Sequence, residues 1–258
     1  MKKINTILFD LDGTLLQFNY KEFMDVYMSL LSKVFTGLQM DTESALKALW
    51  AGTKAMVQNN GDKTNSDRFW DVFSEMMGLS GDRFKSAEKV LENFYTNEFD
   101  TIKSILKNTD PELPHRMIRS LKSRGFCLVL ATNPLFPMCA VTTRLKWVGL
   151  EPDDFYLVTN YSNSSYCKPN PYYYKEIFNK IGKQPDQCLM VGNNVDEDMC
   201  AGDLGAETFL VTDYLENKNE TDISLFRHGT LNELESYLEA YHNEKIQMGH
   251  FSSGKYRA

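Results

Sequence analysis

The sequence has no CxxC pair, and its five cysteines, Cys127, Cys139, Cys167, Cys188 and Cys200, are odd in number. Neither a disulfide framework nor a thiolate zinc site fits that pattern. Cys127 and Cys188 fall inside apolar runs and read as small buried hydrophobes. The four histidines, His115, His228, His242 and His250, are scattered without metal-binding spacing. Positive charge is also short, with 28 Lys and Arg against 35 Asp and Glu, a net charge of -7. A nucleic-acid partner or an anionic membrane surface would need the opposite balance. No apolar run approaches the ~20 residues of a membrane span. The stretch behind Met1, Lys2 and Lys3 is broken by Asp10 before a signal-peptide core can form. A cytoplasmic protein is expected, one that draws any anionic substrate by a local device such as a metal ion or a single placed cation.

What is present is enough apolar material for a packed core: 42% of the 258 residues are hydrophobic. The length exceeds one average domain and falls short of two. "INTILF" reads as a strand, and no further strand follows for about a hundred residues. Instead apolar residues recur at helical spacing: Phe23, Tyr27, Leu30, Leu31 and Val34; Leu46, Leu49 and Trp50; Phe69, Phe73 and Met76; Phe84, Val90, Leu91 and Phe94. Polar clusters at Asn59 to Asp67 and Gly78 to Asp82 separate them.

From about Pro111 helices and short apolar strands alternate. The expected strands are Phe126 to Ala131, "FYLVT", Cys188 to Gly192 and Thr208 to Thr212. Strands of that kind between helices imply a parallel sheet covered on both faces. The expected architecture is therefore an α/β core with an inserted all-helical block. Its parts are the core at 1–16 and 99–258 and the helical insert at 17–98. The final "NEKIQMGHFSSGKYRA" reads as a loosely held tail.

Ligands of open α/β sheets sit beyond the carboxyl ends of the strands. After the first strand come Asp10, Asp12, Gly13 and Thr14; after the second, Thr132 and Asn133. Lys168 follows the third, and Gly192, Asn193, Asn194, Asp196, Glu197 and Asp198 follow the fourth. Carboxylates, one hydroxyl and one lysine, brought together, suit a divalent metal and a phosphate.

"DLDGT", "ATN", "CKPNP" and "VGNNVDEDMCAGDLGA" resemble, in order and spacing, the four motifs of the haloacid-dehalogenase-like (HAD) hydrolase superfamily. That resemblance implies a Rossmann-like parallel core with a helical cap between the first and second motifs. It further implies that Asp10 is a nucleophile forming an aspartyl-phosphate. Asp12 would protonate the leaving oxygen and then take a proton from water. Thr132 would hold a phosphoryl oxygen, and Gly13 and Asn133 would shape the substrate site. Lys168 would pair with Asp10 and phosphate. Mg²⁺, the implied cofactor, would be held by Asp10, Asp12, Asn193 and Asp198. Where the family usually has Gly-Asp this chain has Gly192-Asn193, an oxygen ligand without charge. Weaker Mg²⁺ binding is expected, with Asp196 or Glu197 as substitutes for the missing charge.

Within that superfamily, the resemblance implies, an acid at Asp12 marks phosphatases and phosphomutases, and the first expectation is a Mg²⁺-dependent phosphomonoesterase acting on a small phosphorylated metabolite. The alternatives are a phosphomutase of the same architecture and a non-catalytic binding protein with a weakened metal site. Phe18 and Tyr20, and more remotely Arg68 and Trp70, are candidates for the substrate entrance.

Overall fold

The computed structural model describes residues 4–106 and 110–241. The expected tail at 243–258 lies outside them. Six parallel strands form one sheet in the order β3-β2-β1-β4-β5-β6. They are β1 (Thr6–Phe9), β2 (Cys127–Leu130), β3 (Leu157–Val158), β4 (Cys188–Gly192), β5 (Glu207–Val211) and β6 (His228–Gly229). The strand bearing Asp10 and Asp12 at its exit is thus central, hydrogen-bonded to β2 and β4. Strand order reverses beside it, which puts the ends of β1, β2 and β4 around one crevice.

Alternation along β1 explains why both faces are covered. Ile7 and Phe9 join one buried cluster, with Leu128, Leu130, Leu189 and Val191; Leu8 joins the other, with Val129 and Met190. Helices α5 (Glu112–Ser123) and α6 (Met138–Trp147), with the stretch 231–241, supply the first cluster. Helix α7 (Pro171–Ile181) covers the second through Tyr173, Tyr174, Ile177 and Phe178. Two expectations are corrected in detail. β3 is only two residues long, and the expected alternation is broken between β4 and β5, where a 3-10 turn at Met199–Leu204 stands in place of a helix.

The inserted block holds α1 (Tyr20–Gly37), α2 (Thr42–Val57), α3 (Asn65–Met77) and α4 (Gly81–Asn93). Asn19, Asp41 and Thr64 cap the first three, each accepting a backbone N–H of the first turn. Gly78, at φ 59°, ends α3 in the left-handed conformation that glycine adopts without strain. A π turn (Phe94–Glu98) and a 3-10 turn (Phe99–Ile105) continue α4, so the expected junction at 98–99 falls inside a continuous helical run. Among the described residues no helix is long and apolar enough to cross a membrane.

Several polar contacts tie this block to the core, among them the Asn65 and Ser66 N–H groups, which donate to the Ser164 and Tyr161 carbonyls at 2.8 Å each. Trp147 Nε1 donates to Asp100 at 2.7 Å. Asn65, fully buried at the start of α3, donates to the Pro134 carbonyl at 3.2 Å and accepts from Asn59 at 2.9 Å. The helical block therefore sits on the loops that leave β2 and β3.

Candidate active site

β1 delivers Asp10 into a nearly dry crevice. Its Oδ1 accepts from Lys168 Nζ at 2.8 Å and its Oδ2 from the Thr14 hydroxyl at 3.2 Å. The same Lys168 Nζ donates to Asp198 Oδ1 at 2.6 Å. Lys168 is 2% exposed and Asp198 1%, so one buried cation lies between two carboxylates. Burial opposes the charge on Lys168, but Asp10 and then Asp198 outweigh it and hold its pKa well above the ordinary lysine value. Burial raises the Asp198 carboxyl, against the pull of Lys168. The other oxygen of Asp198 accepts the Asn194 N–H at 2.9 Å. Both oxygens of Asp198 are thus engaged within the protein.

The turn after Asp10 is set by Gly13. Its φ of 87° suits glycine, and a Cβ there would lie 2.3 Å from Asn193 Nδ2. That close approach lets the Thr14 hydroxyl reach Asn193 Oδ1 at 3.0 Å as well as Asp10. Asn193 Nδ2 donates to the Tyr214 carbonyl at 2.6 Å. Its amide is therefore oriented, with the oxygen toward Thr14 and Asp10.

Asp12 is where the structure adds most. Its Oδ2 is ion-paired with Nη1 of Arg144, a residue of α6 that is 1% exposed. The guanidinium also lies 4.5 Å from the centre of the Phe136 ring, a cation–π arrangement. Burial raises the Asp12 carboxyl pKa; Arg144 opposes that rise and the Asp10 charge adds to it. Asp12 Oδ1 and Arg144 Nη2 are both buried without a hydrogen-bond partner. Such a monodentate pair leaves one acceptor and one donor available to a bound group.

The end of β2 carries Thr132 and Asn133. Thr132 is buried, and its carbonyl accepts from Thr159 Oγ1 at 2.7 Å and Tyr173 Oη at 2.9 Å. Asn133 Nδ2 donates to Glu197 Oε2 at 3.1 Å, while its Oδ1 is buried and unpartnered. Burial raises the Glu197 carboxyl as well. Asp196, by contrast, is taken up by Asn219 through both oxygens, at 3.0 and 2.9 Å.

The structure thus gathers Asp10, Asp12, Gly13, Thr132, Asn133, Lys168, Asn193 and Asp198 around the ends of three neighbouring strands. Tyr20 lies close enough for Asp12, Glu216 and Glu197 to add to the effect of burial in raising its hydroxyl pKa. Phe18 does not line an entrance: it is buried in the core, 5.1 Å ring to ring from Phe23. Arg68 is paired with Asp62 on the helical block, and Trp70, packed against Phe69, Phe73 and Phe84, also lines a cavity beside those helices. Sequence reasoning named Thr14 without a role and missed Arg144 and the segment after β5, where Glu216 accepts from Asn194 Nδ2 at 2.9 Å. For Arg144 a signal existed. Val141, Leu145 and Val148 place it on the apolar face of α6, where a lone cation needs a buried partner.

A divalent ion can be tested against this donor set. Asp10 Oδ2 and Asn193 Oδ1 converge on one hydroxyl, and Asp12 Oδ1 is orphaned beside them. Among the described residues no three His, Cys, Asp or Glu side chains form a metal cluster. Mg²⁺, however, is commonly held by one or two carboxylates together with waters and substrate phosphate. The oxygen-only set fits such an ion.

A family model for haloacid dehalogenase-like hydrolases matches residues 4–202. Pyrophosphatase PpaX of Bacillus pumilus (strain SAFR-032) is 25% identical over 209 residues, 80% of this chain and 82% of the relative. A predicted phosphoglycolate phosphatase from Haemophilus somnus 129pt superimposes with a TM-score of 0.53 at 20% identity, covering 92% of this chain and 99% of that one. YfnB of Bacillus subtilis, described as a HAD-hydrolase and bound to magnesium, gives 0.55 at 19% identity, covering 92% and 100%. The chain belongs to the haloacid dehalogenase-like hydrolase family.

Proposed function

We propose that this haloacid dehalogenase-like hydrolase is a Mg²⁺-dependent phosphomonoesterase acting through an aspartyl-phosphate on Asp10. The observation that carries the reading is the buried Asp10–Lys168–Asp198 array, with Asp12 two residues from the nucleophile and one of its oxygens free. An aspartate attacks phosphorus only when it is positioned in line and when charge on the phosphoryl oxygens is offset. Lys168 holds Oδ1 of Asp10 in place and offers a positive charge beside the incoming phosphoryl group. Asp198 in turn fixes the lysine ammonium, so its role is to position Lys168.

Asp12 is the acid–base group of the proposal. Burial raises its pKa, which favours the protonated form that donates to the leaving oxygen. Once ionised, the same carboxylate can take a proton from the water that attacks the aspartyl-phosphate. Arg144 limits the rise and fixes the carboxylate through its other oxygen. Thr132 and Asn133 lie at the next strand end, where their side chains would bind the transferring phosphoryl oxygens.

Asp10 and Asn193 would hold Mg²⁺. When bound, the ion supplies charge neutralisation for the phosphoryl group. One charged ligand in place of two implies a weak site, in keeping with Asn193 standing where the family usually has aspartate. Support for a phosphatase comes also from the names of the relatives, a pyrophosphatase and a phosphoglycolate phosphatase.

The test is phosphate release from an aryl phosphate across a Mg²⁺ titration, with Asp10→Asn as control. Mg²⁺-dependent release that is absent from the control is expected. Release that survives in Asp10→Asn would remove the covalent step.

A further inference from the structure

Beside the strand ends, between α1–α4 and the loop leaving β2, lies a cavity of about 350 Å³. That is the size of a small-molecule site. Two segments join it to the phosphoryl-transfer site. The chain leaving Asp10 and Asp12 reaches Tyr20, which lines the cavity, and the chain leaving Thr132 and Asn133 runs on through Leu135, Phe136, Pro137 and Met138, which line it too. Phe136 also carries on its ring the guanidinium that pairs with Asp12. Phe136 therefore puts the wall of this space one side chain away from the Asp12–Arg144 pair.

The lining is aromatic and thioether: Tyr27, Trp50, Phe69 and Tyr95 among the rings, Met24 and Met56 among the methionines. Among the described residues around it there is no lysine, arginine or histidine. The charged ones are two glutamates, Glu88 and Glu92, one helical turn apart on α4. The nearest cation named above, Arg144, is already paired with Asp12. Its charge is spent on Asp12, and the cavity wall itself supplies only the two glutamates, which would repel a second phosphate or a carboxylate.

We propose that this cavity takes the uncharged apolar or aromatic body of the alcohol leaving group, and that it selects against substrates carrying a second anion. This rests on the phosphomonoesterase reading and separates the chain from what the names of its relatives suggest. Pyrophosphate and phosphoglycolate each bear, next to the scissile bond, a negative charge for which the lining has no partner. The methionines add a surface that adapts to ring or branched-chain shapes.

The test compares 2-phenylethyl phosphate with ethyl phosphate, whose leaving alkoxides are similar and which differ by one phenyl ring. Burying the ring should raise kcat/KM by about tenfold or more. Pyrophosphate and phosphoglycolate should fall below ethyl phosphate. Filling the space with Thr53→Trp should bring the phenylethyl-to-ethyl ratio to about one, the burial gain being lost. Glu92→Lys, an exposed change that leaves the core intact, should raise phosphoglycolate turnover relative to 2-phenylethyl phosphate. Equal rates for the two monoesters, a ratio untouched by Thr53→Trp, or a preference for either doubly anionic substrate would overturn the proposal.

A second readout needs no turnover. Trp50 and Trp70 line the cavity, so 2-phenylethanol should change tryptophan emission in a saturable way. Saturable binding without cleavage of any monoester would sink the phosphatase and leave the cavity assignment standing. Cleavage of ethyl phosphate without a ring preference or 2-phenylethanol binding would do the reverse.

Discussion

Asp12 and Arg144, 132 residues apart in sequence, form an ion pair at the exit of the central strand, and each keeps one buried polar atom unpartnered. A helix of the core thereby reaches the residue that the proposed mechanism needs for proton transfer. The charge of Arg144 works against burial and Asp10, which push the Asp12 carboxyl toward its neutral form.

Replacing Arg144 by methionine keeps the apolar stem and removes the charge. Breaking a buried pair from one side costs about 3–5 kcal/mol, and the partial exposure of Asp12 places this pair near the lower end. A urea midpoint lower than wild type is expected. So is a fall in kcat, since an unanchored acid–base group forfeits part of the roughly 10²–10⁴-fold that such groups contribute. Arg144→Lys should recover stability before it recovers kcat, because one ammonium cannot reproduce the planar guanidinium on Phe136. Wild-type kcat in Arg144→Met would deny the pair any part in turnover.

Asn65→Ala probes how the helical block is seated. The change takes from Asn59 Nδ2 one of its two acceptors, the Lys63 carbonyl being the other, and strips a donor from the buried Pro134 carbonyl. A loss of about 1–3 kcal/mol in chemical denaturation is expected. Because Pro134 directly follows the Thr132–Asn133 pair, KM should rise as well. A stability loss with no change in KM would confine Asn65 to a structural role.

The legibility of this chain followed the range of the interactions. β4 matches its expected bounds because a local apolar run decides it. The fourfold motif pattern pointed to Asp10, Asp12, Thr132 and Asn193, each of which follows its strand by only one to three positions. Asn65 lay hidden inside a polar cluster that read as a helix break. Phe18 looked like an entrance residue from its place after the first motif, yet packing against Phe23 draws it into the core. Arg144 required a partner 132 residues away, and β6 is two residues long, too short for any periodicity to show. Where a side chain goes for a distant charge, local pattern is silent.

Buried thiols predict an alkaline weakness. Burial pushes Cys167 and Cys188 each up to about 12. In the unfolded chain a thiol ionises near ~8.5. Between those values the folded state keeps its protons and the unfolded state releases them. The stability these groups contribute is therefore complete below pH ~8.5 and is lost as pH rises toward 12. Each thiol adds a slope of up to about 1.4 kcal/mol per pH unit in that window. Denaturation midpoints at pH 8, 9 and 10 should fall progressively. Neither thiol should react with iodoacetamide in the native chain at pH 8, and labelling there would contradict the burial on which the slope depends.

Asn193→Asp sets two effects against each other. Asn193 donates through Nδ2 to the Tyr214 carbonyl at 2.6 Å and accepts the Thr14 hydroxyl through Oδ1. A carboxylate keeps the acceptor and replaces the donor with an oxygen facing a carbonyl. Without metal, the variant should lose about 1–3 kcal/mol, the cost of a buried carbonyl left unpaired. With metal, the added charge beside Asp10 should tighten the ion, because Mg²⁺ favours carboxylate over amide oxygen. The signature is a lower Tm than wild type in chelator, a steeper rise of Tm with Mg²⁺, and half-maximal activity at a lower Mg²⁺ concentration. Loss of stability without any gain in Mg²⁺ response would mean that position 193 does not face the ion. In that event Glu197, held by Asn133 at the same crevice, becomes the carboxylate to replace next.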